Sequence, residues 1–424
     1  MVGRTPGQLW RLVGLGVLLT GCPSSEDTPS SEDTLTTGHE GPGFGTDEGV
    51  TTVVDDTSSG GSESSGGTSS SSDADSSSTG AEPLEPADLL LMDSVVFYDG
   101  YAETVDEPTA DGIVRLNNAV QAIKLTDAQL DIIQPNLEIQ VLIGALCDNY
   151  DRIGSVNLAL TPKDLETYVP AEVDRIEVAR FITPFMNMNR QPDTVRYDWD
   201  IDEVAAILTD PALREDHDFW FELEVFGVPY AANTEISGCE GRNDVFRGWL
   251  ALHTDSTNEP QEFSTFMPLA MQAAFNTYQE GASDMLGTPT KTIEFELEED
   301  TEYAQLVLIT SNHGANAGGE EYERREHFVT LDGRPALEYT PGRDTCEPFR
   351  EVNTQGNGIY GPSPMTDEEW QSFSNWCPGD VIDTRIIEWG PVSAGPHTFM
   401  LDVPDAEFVD DQGNFPVSLY LQAR

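Results

Sequence analysis

Basic residues are scarce in this sequence. The 424 residues include 21 Lys and Arg against 76 Asp and Glu, a formal net charge of −55, and no Lys or Arg lies between Arg11 and Arg115. A chain with this imbalance repels phosphate backbones and anionic lipid headgroups. The composition therefore argues against nucleic acid as a partner and favours neutral glycans or cationic protein surfaces.

Metal-binding patterns and long helical patterns are missing as well. No Cys-x-x-Cys, His-x-His or Cys/His cluster with ligand spacing occurs, so neither a metal nor another cofactor is expected. Stretches with a 3.6-residue period are scarce, and only Ile201–Leu208 is predicted to be helical.

The N-terminus has the pattern of an export signal. Arg4 and Arg11 precede the apolar run Leu12–Leu19, which is too short for a mature membrane span. The following Thr20-Gly21-Cys22 completes a segment similar to a bacterial lipobox. We therefore expect a signal peptide over 1–21, lipidation of Cys22, and an exported protein anchored to the cell envelope at the outer membrane or cell surface. The alternative is an ordinary secretory signal that contains a cysteine.

Two kinds of sequence follow the signal. Residues 22–86 consist mainly of Ser, Gly, Thr, Asp and Glu, which predicts a disordered linker. From Ala87 onward, short apolar or alternating runs are separated by Gly, Pro, Asn and Asp, which is typical of all-β sandwiches. A break at Asp255–Gln261 divides them into domains predicted at 87–258 and 259–424. The runs are Ser94–Tyr98, Leu137–Ile143, Ser155–Leu160, Ile176–Pro184, Phe219–Phe226, Gly248–His253, Thr292–Leu297, Tyr303–Thr310, His327–Leu331, Thr384–Trp389, His397–Val403 and Pro416–Leu421.

Four stretches resemble the peptide-N-glycosidase F family, in the family's order. They are Cys147–Arg152, Arg180–Pro184, Glu321-Tyr322 followed by Arg325 and His327, and Cys346 with Gln355-Gly356 and Trp376–Gly379. A fifth, weaker match is Leu223–Phe226. The resemblance covers about Asp93 to the C-terminus and implies two eight-stranded antiparallel jelly rolls, side by side, with the active site at their interface.

The resemblance also implies an activity. The family cleaves the amide bond between an asparagine side chain and the first GlcNAc of an N-glycan, without a metal. N-glycosylated proteins or glycopeptides are the expected substrates, and the protein is expected to be a monomer bound to the membrane only through its lipid.

Three carboxylates match the family's catalytic positions. Asp151 matches the central aspartate, Glu321 a glutamate that helps to hold the water, and Glu224 a supporting glutamate. The residues themselves allow plainer interpretations, because Asp151 and Arg152 could be an exposed pair and Glu222 and Glu224 could both face solvent from one strand.

Other positions carry binding and structural expectations from the same resemblance. Arg152 matches an arginine that contacts the glycan core, and Tyr150 and Phe226 replace family tryptophans. Arg325 is placed with the substrate-binding residues because it repeats the family's spacing. Cys346 and Cys377 match cysteines that pair, and Cys147 with Cys239 is the remaining possible disulfide.

Two departures from the family bear on activity, and two rival functions stay open. The family has an arginine where this chain has Phe373, and paired cysteines where it has Gly319 and Glu323. These changes favour a non-catalytic lipoprotein that binds glycans or proteins on the same scaffold. A copper-dependent oxygenase is the second rival, since His313, His327, Met186 and Met188 are available, but the lack of a His-x-His pair counts against it.

Overall fold

The computed structural model of the protein describes residues 84–229, 231–314, 319–355 and 374–424. The predicted signal peptide, Cys22, the linker up to residue 83, Gly356 and Phe373 lie outside these ranges. No helix in the described ranges is both long and apolar enough to cross a membrane.

Residues 87–255 form two facing antiparallel sheets. One sheet has the order β1-β9-β4-β7, and the other has the order β6-β5-β8-β3-β2 with a short sixth strand added at β6. The strands are β1 (Ala87–Tyr98), β2 (Ile113–Asn117), β3 (Val120–Lys124), β4 (Asn136–Ala145), β5 (Ile153–Pro162), β6 (Asp174–Ile182), β7 (Thr194–Asp200), β8 (His217–Val225) and β9 (Asp244–Asp255). Helices α1 (Asp127–Leu130), α2 (Asp202–Thr209), α3 (Pro211–Asp216) and α4 (Ala232–Glu235) and a 3-10 turn (Pro170–Glu172) lie in the connections.

Residues 265–423 form a second pair of antiparallel sheets. Their orders are β10-β18-β12-β16 and β11-β17-β13-β14. The strands are β10 (Thr265–Ala273), β11 (Thr290–Leu297), β12 (Thr301–Thr310), β13 (His327–Leu331), β14 (Arg334–Tyr339), β15 (Val381–Ile382), β16 (Thr384–Val392), β17 (Gly395–Asp402) and β18 (Val417–Ala423), with 3-10 turns at Glu347–Val352 and Val409–Asp411. Strand β15 pairs with β6 and is the sixth strand of the first half's larger sheet.

The period-2 pattern explains the two cores. In β9, Phe246, Gly248, Leu250 and Leu252 are buried while the residues between them are half-buried. The first half packs Phe97, Phe181, Phe219 and Phe221 against such residues, and the second half has its own core with Phe275, Phe399 and Phe415. The prediction of an all-β protein with two jelly-roll sandwiches is confirmed.

All twelve predicted runs coincide with strands, and Ile201–Leu208 coincides with α2. Strands β2, β3, β7, β10, β14 and β15 were not predicted. Strands β10 and β14 contain Pro268 and Pro335, and proline weakens a strand signal because it cannot donate to a ladder. Both lie at sheet edges, where that missing donor is tolerated.

A polar network joins the two halves. Arg180 on β6 is fully buried and donates to Ser311 Oγ (2.8 Å) and to the Pro416 carbonyl (2.9 Å) of the second half. Arg180 also forms a two-point ion pair with Glu177, whose carboxylate accepts a hydrogen bond from Ser418 on β18. The orientation of the halves therefore depends on buried, mutually satisfied charges.

Two disulfides stabilise the connections. Cys346 pairs with Cys377, as predicted, with their Cα atoms 5.3 Å apart, and Cys147 pairs with Cys239 at 5.5 Å. The Cys147–Cys239 bond holds the start of the segment that carries Asp151. The Cys346–Cys377 bond holds the chain directly after Trp376.

Candidate active site

The segment 147–152 connects β4 to β5 and is anchored at several points. Asp148 is buried and accepts hydrogen bonds from the backbone N–H groups of Tyr150 (2.9 Å) and Val228 (2.7 Å) and from Arg152 Nε (2.7 Å). Thr183 Oγ1 accepts the Arg152 N–H at 2.8 Å. This clamp fixes the backbone on both sides of Asp151.

Asp151 has an unusual electrostatic environment. Burial and, to a smaller extent, the nearby negative charge of Glu321 raise the pKa of the carboxyl while Arg152 opposes them, and the net result is a pKa raised from 3.8 to about 8. The plainer interpretation of an exposed Asp151–Arg152 pair is therefore wrong. At neutral pH, Asp151 is in a position to carry a proton.

Glu321 enters the site from the second half, in the connection between β12 and β13. Its Oε2 accepts the Gly314 N–H at 3.3 Å, and its carboxylate also accepts the Tyr322 hydroxyl. Burial raises the pKa of Glu321, whereas these two hydrogen bonds lower it. Asp151 and Glu321, 170 positions apart in the sequence, are thus close enough to interact electrostatically across the interface.

The backbone around Glu321 is held by residues that sequence reasoning missed. Asn375 donates through Nδ2 to the carbonyls of Glu320 (2.6 Å) and Glu323 (3.0 Å), and through its backbone N–H to that of Glu321 (3.0 Å). The signal that could have identified Asn375 is its position directly before Trp376-Cys377. Tyr322 was also missed as a site residue, although burial and the charges of Glu321 and Asp151 raise the pKa of its hydroxyl.

Glu224 lies on β8, and its surroundings differ from those of Asp151 and Glu321. It stands opposite Ser155 in the β5–β8 ladder, and its Oε2 accepts Asn157 Nδ2 at 3.2 Å. Burial raises the pKa of Glu224 to about 7, assisted by the charges of Glu222 and Glu177 and opposed by Arg175. Neither Asp151 nor Glu321 is among the charges that shift it.

Glu222 does not face solvent. It is fully buried, forms an ion pair with Arg175, and accepts the Tyr168 hydroxyl at 2.6 Å. Asn157 Nδ2 donates to Glu222 Oε2 (3.1 Å) as well as to Glu224. Among the residues that the structure describes, Glu222 forms an ion pair with a guanidinium and Glu224 does not, so these two glutamates of β8 have different electrostatic surroundings.

The four predicted substrate-binding residues have different surroundings. The Arg152 guanidinium pairs with Asp148 and lies 5.2 Å from the Tyr150 ring centre. Arg325 forms a two-point ion pair with the buried Glu320. Phe226 packs edge-on against Tyr101 at 5.2 Å. Arg152 and Tyr150 flank Asp151, and the other two side chains have structural contacts of their own.

The histidines proposed for copper are engaged elsewhere. His313 Nε2 lies 2.6 Å from Ser311 Oγ, and burial together with the charge of Arg180 lowers the His313 pKa to about 3. His327 contacts Asn312 Oδ1 and the Arg325 carbonyl, and Met188 lies against the Cys147–Cys239 disulfide. Within the described ranges, no group of three or more His, Cys, Asp or Glu side chains is arranged to hold a metal.

Comparison with known families gives two matches, one for each half. Residues 89–240 match the family described as "Peptide-N-glycosidase F, N terminal", and residues 282–422 match "Peptide-N-glycosidase F, C terminal". No curated protein matches the chain.

Solved structures show the same fold. A structure of PNGF-II aligns with a TM-score of 0.57 at 20% identity, over 80% of this chain and 65% of that one, so this chain spans just under two thirds of that protein. A glycosylasparaginase from Flavobacterium meningosepticum, PNGase F, aligns with a TM-score of 0.50 at 14% identity, over 80% of this chain and 96% of that one.

Proposed function

The chain belongs to the peptide-N-glycosidase F family, and on that premise we propose that it hydrolyses the amide bond between an asparagine side chain and the first GlcNAc of an N-glycan. The observation that carries the proposal is the Asp151–Glu321 pair, in which both carboxyls have raised pKa values at the interface of the two halves. The products are an aspartate side chain and a glycosylamine. N-glycosylated proteins are the substrates, and the acidic surface suits their neutral glycans.

The two carboxyls have different roles in this mechanism. Asp151 carries a proton at neutral pH, because its pKa is raised to about 8. Glu321 keeps its charge more readily, because the Gly314 N–H and the Tyr322 hydroxyl donate to it. Glu321 removes a proton from water as the water oxygen attacks the amide carbon, and Asp151 donates its proton to the departing nitrogen.

Deglycosylation of a denatured glycoprotein in heavy-oxygen water tests the proposal. We expect the peptide to lose its glycan and to retain one heavy oxygen in a new aspartate. Asp151→Asn should abolish the signal. Glu203→Gln is the matched control, because Glu203 is also buried and its pKa is also raised, to about 7, but it lies on α2.

If the wild-type protein binds the glycoprotein without releasing glycan, the amidase proposal is wrong. The alternative function, binding of glycans or proteins without catalysis, then replaces it. Phe373 at the family's arginine position favours that alternative.

We further propose that the protein is exported and lipid-anchored through Cys22, with 22–86 as a tether. The lipobox-like Thr20-Gly21-Cys22 after an apolar run supports this. Cys22→Ser should move the protein from the detergent phase to the aqueous phase on phase partitioning. Unchanged partitioning would contradict lipidation of Cys22.

A further inference from the structure

A tryptophan lies flat on the outer face of the first half. Trp249 points away from the core, because Gly248 and Leu250 on either side of it in β9 are buried. Its indole Nε1 donates to Asp93 Oδ1 (3.0 Å) on the neighbouring strand β1. The opposite edge of the ring covers Gly144 on β4, where a Cβ would be 3.3 Å from Cζ3. Side chains normally stand upright on a sheet, but a ring that contacts both neighbouring strands must lie across them.

Arg247 lies beside this ring. The same Cβ position at Gly144 would be 3.3 Å from Arg247 Nε, so the guanidinium and the indole rest on Gly144 side by side. Arg247 Cζ is 5.7 Å from the ring centre, and Nη2 is 3.8 Å from Asp193 Oδ2. Within the described ranges, Arg247 Nε has no hydrogen-bond partner. One ring face thus rests on the sheet and the other points to solvent, in agreement with the half-buried state of Trp249.

A bulge in β1 supplies the carboxylate that anchors the ring. The register of β1 against β9 shifts between Met92 and Val95, so that Asp93 and Ser94 together stand opposite Trp249. Ser94 has a φ of 55°, in the left-handed region that residues with a side chain rarely adopt. Bulges redirect side chains and are frequent next to functional sites. The flat ring therefore depends on the donor and acceptor geometry of three adjacent strands, which indicates a built surface.

The groups around the ring define the ligand that fits them. The π face of an indole is negative, so it attracts the C–H groups on the apolar face of a sugar ring, which neighbouring oxygens polarise. Arg247 offers N–H donors to hydroxyl oxygens, and the carboxylates of Asp93 and Asp193 accept from hydroxyl groups. One cation between two carboxylates, on a chain with a net charge of −55, disfavours an anionic sugar.

We propose that Trp249, Arg247 and Asp93 form a second carbohydrate-binding site, which holds a pyranose ring of a neutral glycan. This site lies on the outer face of the first half, whereas Asp151 and Glu321 lie at the interface of the halves. It retains a glycoprotein that carries several glycans while one of them is cleaved. That role rests on the proposed function, and the binding of glycan does not.

Titration of the full chain with free N-glycans tests the proposal, because a released glycan has no amide bond to hydrolyse. Neutral glycans that end in mannose, N-acetylglucosamine or galactose are the probes, and the NMR resonances of the indole N–H groups are the readout. Trp249→Ala identifies the Trp249 resonance by its loss. At least one neutral glycan should shift that resonance saturably. The sialylated form of the same glycan should bind more weakly at low salt, because Asp93 and Asp193 repel it.

Two variants alter the site and keep the ring. Gly144→Val places methyl groups where the ring lies and should weaken glycan binding at least about tenfold. Asp93→Ala should weaken it severalfold, and because Asp93 is exposed, this variant keeps the test valid if the valine variant does not fold. Trp389 is the internal control: it is also half-buried, but Phe295 (5.9 Å) and His397 (5.1 Å) pack edge-on against its ring. Its resonance should not move.

Several results would overturn the proposal: no neutral glycan shifts the Trp249 resonance, Trp389 responds with the same midpoint, neither variant weakens binding, or the sialylated glycan binds equally well. A shift that follows protein concentration instead of glycan would assign this face to a second copy of the chain and would also overturn it.

The retention role has its own test. Trp249→Ala should raise KM severalfold for a glycoprotein with several glycans and leave kcat/KM unchanged for a glycopeptide with one. An unchanged KM for the glycoprotein would contradict the role. If the Trp249 resonance responds to glycan but wild type releases none, the amidase proposal fails and the binding site stands.

Discussion

Carboxylates at or near this interface fall into two groups that differ in their partners. Glu177 and Glu222 each meet a guanidinium, of Arg180 and Arg175 respectively. Asp151 and Glu321 have no such ion pair within the described ranges, and the Arg152 guanidinium next to Asp151 is directed to Asp148. The Arg180–Glu177 pair is hydrogen-bonded to the second half, whereas the unpaired carboxyls of Asp151 and Glu321 have raised pKa values and are suited to proton transfer.

The largest expected effect is on catalysis. Asp151→Asn removes the proton donor with almost no change in volume, so glycan release should fall by a factor on the order of 10²–10⁴. Initial rates on a glycopeptide, with circular dichroism to check folding, measure this. A variant that retains the wild-type rate would remove Asp151 from the mechanism.

The paired group predicts a loss of stability instead. Arg180→Met leaves Glu177 buried without its cation and should lower the free energy of unfolding by about 3–5 kcal/mol. Arg196→Met is the control, because Arg196 forms a largely exposed pair with Asp198 and should cost less than about 1 kcal/mol. Urea denaturation measures both. Equal effects would mean that the buried network does not hold the halves together.

The period-2 pattern predicts most strands but not this grouping of charges. Glu177 and Arg180 are three residues apart, so a regular strand would place them on opposite faces. The register with β5 shifts between Val156 and Asn157, and both Val178 and Ala179 turn into the core. This bulge brings Glu177 and Arg180 to one face. A similar irregularity occurs in β10, whose pairing with β18 shifts register between Ala270 and Ala273, and the sequence pattern does not reveal it.

The meeting of Asp151 and Glu321 also lies beyond local patterns. Their segments are charge-rich loops in different halves, and composition alone indicates exposed surface for both. Only the family resemblance placed them together, through the order of motifs along the chain. The partners that tune them, Tyr322 and Gly314, depend on how the loop between β12 and β13 folds back, which periodicity does not report.

The destabilisation caused by ionising the unpaired Asp151 carboxyl should be visible in the pH dependence of the free energy of unfolding. The pKa of Asp151 is about 8 when folded and near 3.8 when unfolded, so between these values the folded state binds more protons. The free energy of unfolding therefore falls as pH rises through this window. Asp151→Asn lacks this slope and should exceed wild type in stability above pH 8 by at least about 1 kcal/mol. Denaturation curves at pH 5 and pH 9 measure the difference, and parallel curves for the two proteins would contradict the raised pKa.

Glu224 lies between the two groups and should show the smallest effect. In the described part of the chain it forms no ion pair with a guanidinium, neither Asp151 nor Glu321 is among the charges that shift its pKa, and that pKa is raised to about 7. Glutamine imitates the protonated form that Glu224 partly adopts at neutral pH, so Glu224→Gln should reduce glycan release less than about tenfold. The reduction should grow above pH 7, where wild-type Glu224 is ionised and the variant is not. Glu222→Gln is the contrasting change: it weakens the Arg175 ion pair and should lower the free energy of unfolding. Rates measured from pH 6 to pH 9 separate these cases. If Glu224→Gln lowered the rate of glycan release as much as Asp151→Asn and equally at every pH, Glu224 would belong with Asp151 and Glu321 as a catalytic carboxyl.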